Sequence, residues 1–425
     1  MKHLLTTAAL AASALLQTAQ AEDWTHYRGP NHDGISSEAI GNARWGSGPT
    51  ILWKTKAYPL GFSSFTTSGS QAFTICSRNN QEVTVALNAA TGKQNWSYTM
   101  TPAKYDGGGG AGTRNNKGGD GPRSTPTISD GRVYSLSAAL ALYCLDEKSG
   151  KLIWERDIIK ENAGVQIRWK NAASPVIEGD LLFVAGGGKN QALLALNKKT
   201  GKVVWKTQSD KMTHSTPTVT TIQGQRQVIF FTQTGLVSCD TTSGKVLWRH
   251  DFKFAVSTAI SPVVADDIVY CSAGYGVGSA AARVVKSGSR FRAAELWRIH
   301  GHKDVANHWS TPVHKGGYLY GMFSFKKYGE GPLKCVELKS GKVVWSKDGF
   351  GPGNVTIAGD KLIALADDGH VVIAEASPAK YKELSRAKVI GGKCWSTPIL
   401  SNGRIYVRST SEAACLDVSG RTAAR

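Results

Sequence analysis

Arginine, histidine and tryptophan side chains recur just before one short phrase of the sequence. The phrase is Ser-Thr-Pro or Ser-Pro, and six copies, each followed by an alternating apolar run, lie between residues 124 and 398. Cationic side chains can hold an anion through charge-assisted hydrogen bonds, and indoles can stack on a flat ring. If the fold brings them together, these residues predict a site for a flat anionic ligand. The candidates are Arg123, Asn171, His214, Asn307, His308, Trp309 and Trp395.

A second repeat indicates how the fold could bring them together. The phrase Thr/Ser-Gly-Lys-x-x-Trp occurs five times with identical spacing, first at Thr91–Trp96 and last at Ser340–Trp345. An Asn, Asp or Glu lies four residues before each glycine, as in a tight turn capped by a polar side chain. Glycine supplies the positive φ that such a turn needs. Each copy therefore predicts a hairpin turn followed by a strand that carries the tryptophan.

Each repeat is predicted to contain four antiparallel strands. The Ser-Thr-Pro phrase begins the first strand, where a proline removes no ladder hydrogen bond. Tryptophans spaced about 49 residues apart mark the fourth strands, and four-stranded repeats of this length are typical of β-propeller blades. The tryptophans predicted to dock neighbouring blades are Trp53, Trp96, Trp154, Trp205, Trp248, Trp297 and Trp345.

The last predicted blade lacks a fourth strand of its own. It begins at Ser396, and the sequence ends at Arg425 before another tryptophan strand. The segment Ile51–Lys54 has the missing pattern, so the N-terminal strand should complete this blade and close the ring, which removes exposed sheet edges. The predicted fold class is all-β, an eight-bladed propeller of four-stranded antiparallel blades over residues 51–425, after an N-terminal extension at residues 22–50.

Composition agrees with a β-rich protein. Among 425 residues there are 47 glycines and 12 tryptophans, and 41% of the residues are hydrophobic, which excludes a disordered chain, a coiled coil and a collagen. The seven cysteines are too far apart for zinc pairs or a haem-attachment motif. We interpret three of them, Cys144, Cys335 and Cys415, as small buried packing residues.

The first 21 residues predict export. Lys2 precedes an apolar stretch at residues 4–16, and Ala-Gln-Ala at residues 19–21 fits a signal-peptide cleavage site. We expect cleavage after Ala21 and a periplasmic or secreted location. No later apolar run approaches about 20 residues, so no transmembrane segment is expected in the mature chain.

Both phrases, together with the stretch Trp24–Gly34, resemble the bacterial PQQ-binding-like (quinoprotein-like) β-propeller repeat family. The resemblance covers essentially the whole mature chain. This family includes quinoprotein alcohol dehydrogenases, which bind pyrroloquinoline quinone (PQQ), and non-enzymatic members such as the outer-membrane protein assembly factor BamB. The Thr/Ser-Gly-Lys-x-x-Trp phrase reflects packing between blades. It therefore indicates the fold strongly and the activity only weakly.

The resemblance implies two alternative functions. An enzyme of the family would hold PQQ with Ca²⁺, with Trp309 or Trp395 stacked on the ring, Arg123 beside its oxygens, and carboxylates as calcium ligand and base. Here acids are sparse near the candidates, Asp120 and Asp304 being nearest in sequence, and the adjacent Cys-Cys pair of many of those enzymes is missing. The sequence therefore favours an exported binding or assembly scaffold of the cell envelope, with no catalytic residue, cofactor or metal expected. The alternative is a PQQ- and calcium-dependent dehydrogenase that oxidises alcohols, including polymeric ones.

Net charge indicates the kind of partner. The chain has 51 lysines and arginines against 32 acids, a net charge of +19 that falls to +18 without Lys2. Because export argues against nucleic acid, we expect an envelope protein or an anionic envelope polymer.

The sequence leaves two features open. The basic run Arg283–Arg292 is either a partner site or a solvated hairpin, and the glycine-rich segment 106–122 is either a flap or an inter-blade insertion.

Overall fold

The computed structural model describes residues 22–103, 121–167, 169–255, 257–301, 304–323 and 330–420. The predicted export signal lies outside these ranges, as does the glycine-rich segment except for its last two residues. One helix, Ile158–Glu161, is present in the described residues, and it is capped by Asp157. No helix in the described ranges is long and apolar enough to cross a bilayer.

Eight sheets follow one another along the chain, as predicted, and we number them blades 1 to 8. Blade 1 consists of Thr66–Ser68, Gln71–Arg78, Gln81–Asn88 and Gln94–Pro102. Blade 2 consists of Thr127–Ser129, Arg132–Leu136, Ala141–Asp146 and Leu152–Asp157. Blade 3 consists of Val176–Glu178, Leu181–Ala185, Leu193–Asn197 and Val203–Thr207. Blade 4 consists of Thr218–Ile222, Gln225–Thr232, Gly235–Asp240 and Val246–Asp251.

The remaining four blades include two strands from the N-terminal segment. Blade 5 consists of Val263–Ala265, Ile268–Ala273, Gly278–Ser287 and Arg290–His300. Blade 6 consists of Val313–Lys315, Tyr318–Met322, Leu333–Glu337 and Val343–Lys347. Blade 7 consists of Asn354–Ala358, Lys361–Leu365, His370–Glu375 and Glu383–Lys388, with Ile35–Ser36 added in parallel to its first strand. Blade 8 consists of Ile399–Ser401, Arg404–Arg408, Ala413–Asp417 and the N-terminal strand Thr50–Thr55.

First strands line the central channel, because most first strands of successive blades contact one another. Since the strands of a blade are antiparallel, the chain enters every first strand on the same face of the ring. We call this the mouth face, and it also carries the turns between second and third strands. The opposite face, here the turn face, carries the Gly-Lys turns between third and fourth strands.

Tryptophans of the fourth strands pack on the next blade. A Cβ added to Gly150 of blade 2 would come within 2.4 Å of Cε3 of Trp96 in blade 1, and Nε1 of Trp96 donates to the Glu147 carbonyl at 2.9 Å. Four more indoles make the same two contacts with a turn glycine and a turn carbonyl. These pairs are Trp53 with Gly92, Trp154 with Gly201, Trp205 with Gly244, and Trp297 with Gly341.

A β-bulge in every fourth strand turns these indoles towards the next blade. In blade 2 the pairing skips Ile153 between Leu152 and Trp154, and the same skip recurs in all eight blades. In blade 3 the extra residue is Val204, which faces outward and is 51% exposed. Bulges re-aim side chains in this way, which explains the two residues between lysine and tryptophan in the repeat.

Hydroxyl groups of the Ser-Thr-Pro phrases join the blades near the channel. The N–H of Thr125 donates to Oγ of Ser174 at 2.9 Å, and the N–H of Ser174 donates to Oγ1 of Thr216 at 2.9 Å. The same bond links three more pairs of neighbouring blades, through Thr397 and Ser64, Ser64 and Thr125, and Ser261 and Thr311. These bonds hold the residues just before each phrase in place on the mouth face.

The N-terminal strand closes the ring, as predicted. Residues Thr50–Thr55 pair antiparallel with Ala413–Asp417 of blade 8. Arg408 adds a second closure, because its guanidinium donates to the carbonyls of Ser63 and Ile75 at 3.0 and 2.7 Å, on the blade 1 side. Burial lowers the pKa of Arg408 to about 10.

Residues 22–38 plug the turn-face end of the channel, a feature that the repeats did not predict. The carbonyls of Trp24, Thr25 and Gly34 accept hydrogen bonds from first-strand residues of blades 1, 2 and 7. Buried Arg28 donates to the carbonyls of Thr311 and Pro312 at 3.3 and 3.0 Å, next to blade 6. The plug thus ties distant blades together through the centre of the ring.

Replacing Gly150 with alanine should destabilise the ring far more than replacing Gly131. Both glycines have φ near +70° (69° and 71°), so each substitution pays about 1 kcal/mol for left-handed backbone. Nothing lies within 4 Å of a Cβ at Gly131, whereas a Cβ at Gly150 would clash with Trp96. We expect an additional loss of about 1–3 kcal/mol for Gly150→Ala, the usual cost of overpacking, measured by urea unfolding. Equal losses in the two variants would contradict the seam contact.

Candidate functional site

Two predicted residues, Trp309 and Trp395, lie against each other on the mouth face. Their ring centroids are 4.2 Å apart and their planes make an angle of 31°. Phe62 stacks on Trp395 at 4.7 Å, with an angle of 25°. At these separations the rings are in direct contact, so no other flat ring fits between Phe62 and Trp395 or between Trp395 and Trp309. We call Phe62, Trp395 and Trp309 the mouth stack.

Hydrogen bonds anchor the mouth stack at both indoles. Nε1 of Trp309 donates to the Pro352 carbonyl at 2.8 Å, and Nε1 of Trp395 donates to Oδ1 of Asp367 at 2.7 Å. Lys393 forms a salt bridge with Oδ2 of Asp367 at 3.2 Å, and its ammonium lies 5.5 Å from the Trp395 ring centroid. Burial raises the pKa of the Asp367 carboxyl, while Lys393 opposes that effect.

His308 extends the aromatic cluster beside the stack. Its ring centroid lies 5.2 Å from that of Trp309 and 4.7 Å from that of Tyr275, with the rings edge to face. Burial lowers the pKa of His308 to about 3, so the imidazole is neutral at neutral pH. This histidine therefore contributes an aromatic surface and no positive charge.

Arg123 and His214 approach each other at the same mouth. Arg123 donates to the Trp169 carbonyl at 2.6 Å, and Nε2 of His214 lies 2.8 Å from the Lys170 carbonyl, so Nε2 carries the hydrogen. Burial, followed by the charge of Arg123, lowers the pKa of His214 to about 3. Among Arg123, His214 and His308, the guanidinium alone is charged at neutral pH.

The two predicted asparagines are buried and bonded within the fold. Nδ2 of Asn171 donates to the Ala173 carbonyl at 3.0 Å. Nδ2 of Asn307 donates to the Met322 carbonyl at 2.7 Å, and its Oδ1 accepts a hydrogen bond from the Tyr270 hydroxyl. These amides brace the loops that enter blades 3 and 6. Of the remaining candidates, His308 is buried, and the partly exposed ones are Arg123, His214, Trp309 and Trp395.

Phe62, Asp367 and Lys393 belong to the site although the sequence did not indicate them. Phe62 precedes Ser63-Ser64, which replaces Ser-Thr-Pro in blade 1, and the N–H of Ser64 makes the usual inter-blade bond. Aligning blade 1 on this hydroxyl would have placed Phe62 at the mouth. Asp367 lies in a turn of blade 7, and Lys393 lies in the loop after that blade. Neither repeat phrase occurs in blade 7, so these residues could not be aligned with their counterparts in other blades.

Calcium ligands are sparse at this mouth. Within the described ranges, no three His, Cys, Asp or Glu side chains are placed to hold a metal ion. Asp367, the carboxylate that contacts the stack, is already bonded to Trp395 and Lys393. Calcium takes about six to eight oxygen ligands. The described residues therefore do not fit a PQQ–calcium pair.

The basic run Arg283–Arg292 lies on the turn face, away from the mouth. Arg283 forms a salt bridge with Asp267 at 2.7 Å, and the Lys286 ammonium lies 5.2 Å from the Phe291 ring centroid. The sequence of this run contains no acidic residue, but Asp267, from another turn of blade 5, partly neutralises its charge.

Comparisons with known proteins agree with the repeat. Residues 79–347 match the PQQ_2 family, described as outer membrane protein assembly factor BamB. BamB from Shewanella oneidensis is 25% identical over 344 residues, 68% of this chain and 82% of that protein. A quinoprotein ethanol dehydrogenase from Pseudomonas aeruginosa is 36% identical over 91 residues, which span 20% of this chain and 14% of the enzyme.

A solved structure supports the fold independently. The quinohemoprotein alcohol dehydrogenase from Comamonas testosteroni has a TM-score of 0.64 at 13% identity, covering 96% of this chain and 82% of that chain. At this identity the likeness concerns the propeller and not its chemistry.

The free energy of unfolding should fall at acid pH because His214 is buried as a neutral ring. The pKa of His214 falls from the ordinary value of about 6.5 to about 3 on folding, so between these values the unfolded chain binds a proton that the folded chain does not. Stability therefore falls as the pH falls through this window, by about 2 kcal/mol at pH 5. His214→Gln keeps an N–H for the Lys170 carbonyl and cannot be protonated. We expect this variant to lose less stability than the wild type between pH 7 and pH 5 in urea unfolding.

A matched control is His300→Gln, at an exposed histidine of blade 5. This variant should keep the wild-type difference between the two pH values. A His214→Gln variant with the same pH dependence as the wild type would show that His214 is not buried as a neutral ring.

Proposed function

Because the chain belongs to the BamB-like PQQ-repeat family of β-propellers, we propose that it is an exported binding scaffold of the cell envelope, whose mouth face holds a partner without covalent chemistry. The observation that carries this proposal is the direct contact of Trp309 with Trp395. The name of the BamB relative, an outer membrane protein assembly factor, supports an envelope protein as partner. The charge of the chain supports an anionic envelope polymer as the other partner class.

A flat cofactor could enter between the rings of the mouth stack only by parting them. The ring of Trp395 is in contact with both Phe62 and Trp309. Each aromatic contact contributes about 1 kcal/mol beyond its buried area, and each indole hydrogen bond contributes about the same. Separating the rings therefore costs several kcal/mol before a cofactor gains any contact. No carboxylate cluster in the described residues offers a calcium ion to offset this cost.

A rigid aromatic and basic surface is suited to protein recognition. Tryptophan, tyrosine and arginine dominate the energetics of protein interfaces, and anchors that are already ordered lose little entropy on binding. The mouth presents Tyr275 beside three residues whose side chains donate hydrogen bonds to a neighbouring blade or its loops, namely Trp309, Trp395 and Arg123. Tyr275 is 57% exposed and so is available for contact.

A PQQ- and calcium-dependent alcohol dehydrogenase is the second candidate. The segment 36% identical to a quinoprotein ethanol dehydrogenase favours it, and under this alternative Trp395 and Arg123 would contact the cofactor. That segment represents 14% of the enzyme, so the rest of the enzyme has no counterpart in the match.

Cofactor loading separates the two candidates. The mature chain is incubated with PQQ and CaCl₂, passed through a desalting column, and examined for retained PQQ absorbance and for dye-linked oxidation of ethanol and polyvinyl alcohol. We expect neither retention nor turnover, whereas a quinoprotein ethanol dehydrogenase treated in parallel shows both. Stoichiometric retention together with turnover would overturn the scaffold.

The binding role itself is tested in cells with a photo-crosslinking residue at Tyr275 on the mouth face. We expect one defined crosslinked species, which disappears when the crosslinker is placed at exposed Lys342 on the turn face. Identical species from both positions would contradict a partner site at the mouth.

A further inference from the structure

A groove of about 1010 Å³ lies on the mouth face between blades 3 and 4. Its walls are the loops that follow these blades, residues 207–211 and 253–255, and the turn at residues 233–234 of blade 4. This volume lies at the upper end of the range that is typical of ligand-binding clefts. The groove is separate from the mouth stack, and no repeat phrase marks its residues.

One carboxylate organises the floor of this groove. Asp210 accepts hydrogen bonds from both terminal nitrogens of Arg249, at 3.0 and 2.8 Å, and a third from the Thr234 hydroxyl. Burial acts to raise the pKa of Asp210, but the bonds from Arg249 and Thr234 outweigh burial and hold it below its ordinary value. Asp210 is therefore ionised and neutralised by Arg249, which leaves the other charges of the groove positive.

Three lysines supply that positive charge from two different blades. Lys206 donates to the Gln191 side chain at 2.9 Å and has no carboxylate partner among the described residues. Lys211 and Lys253 are exposed, and neither forms an ion pair within the part of the chain that the structure describes. Cations on both walls of a concave surface attract an elongated anion.

The rest of the lining is neutral and rich in hydrogen-bonding groups. Gln208, Ser209 and Gln233 line the groove beside one partly exposed aromatic ring, Phe254. Phe254 is held in place by Phe231, edge to face at 5.4 Å. Amides and hydroxyls match the hydroxyl groups of a sugar, and an aromatic face packs against the apolar face of a sugar ring. Acidic peptide motifs are typically recognised by clusters of arginines, whereas Arg249, the arginine that lines this groove, is already paired with Asp210.

We propose that this groove binds an acidic polysaccharide. Uronate carboxylates pair with Lys211 and Lys253, sugar hydroxyls bond to the amides, and one sugar ring packs on Phe254. This inference rests on the proposed binding role and names the class of polymer.

Calorimetric titration of the mature chain with oligogalacturonate tests the proposal. We expect saturable binding that weakens as salt is added, and no binding of neutral dextran. Lys211→Glu/Lys253→Glu should weaken binding at least about tenfold, because two attractions become repulsions. The matched control is Lys202→Glu/Lys342→Glu, the same charge change at exposed lysines of the turn face, which should bind almost as the wild type does. Far-UV circular dichroism and melting temperatures establish that both double variants are folded.

Polyglutamate distinguishes a glycan site from a site for acidic peptides. We expect it to bind at least about tenfold more weakly than oligogalacturonate of equal charge. Equal affinity for polyglutamate, equal losses in both double variants, or no binding of oligogalacturonate would overturn the groove proposal. Alcohol oxidation with PQQ would overturn the scaffold instead, whereas failed glycan binding by a chain without turnover overturns the groove proposal alone.

Discussion

The contact between a tryptophan face and a glycine of the next blade is the constraint on which this ring depends. It recurs at five seams, where glycine alone leaves room for the indole. Where the turn of the next blade lacks the Gly-Lys phrase, the tryptophan makes other contacts instead. Trp248, which faces the long hairpin of blade 5, donates to Gln227 of its own blade, and Trp345 donates to the Ser377 carbonyl. Blade 7 has no such tryptophan, and Trp45 from the N-terminal segment packs against the core of blades 7 and 8.

Three sets of contacts between blades hold the mouth in place. Tryptophans join the blades at the outer strands, hydroxyls of the Ser-Thr-Pro phrases join them near the channel, and residues 22–38 tie the first strands together. The described residues Phe62, Trp309 and Trp395 lie in loops between these contacts and are held by them. The mouth stack is therefore a fixed surface, which suits recognition of a partner better than chemistry that needs a cofactor to enter between its rings.

Sequence predicted the fold well because its signal is local and repeated. The spacing of Gly150 from Trp154 is a property of one hairpin, and Thr50–Thr55 carries the same strand pattern as its counterparts. Contacts between distant loops have no such signal. Trp309 and Trp395 precede blades 6 and 8, so their mutual contact depends on side-chain directions that no spacing records. The plug formed by residues 22–38 and the groove at residues 207–211 belong to no repeat, and the inward turn of Asn171 depends on the loop around it.

The most direct test of the scaffold is a crystal structure of the mature chain determined after soaking with PQQ and calcium. We expect the centroids of Trp309 and Trp395 to remain about 4.2 Å apart, with Phe62 still stacked on Trp395. Electron density for PQQ against either indole, with the two tryptophans parted and a calcium ion beside it, would contradict a mouth closed to cofactor.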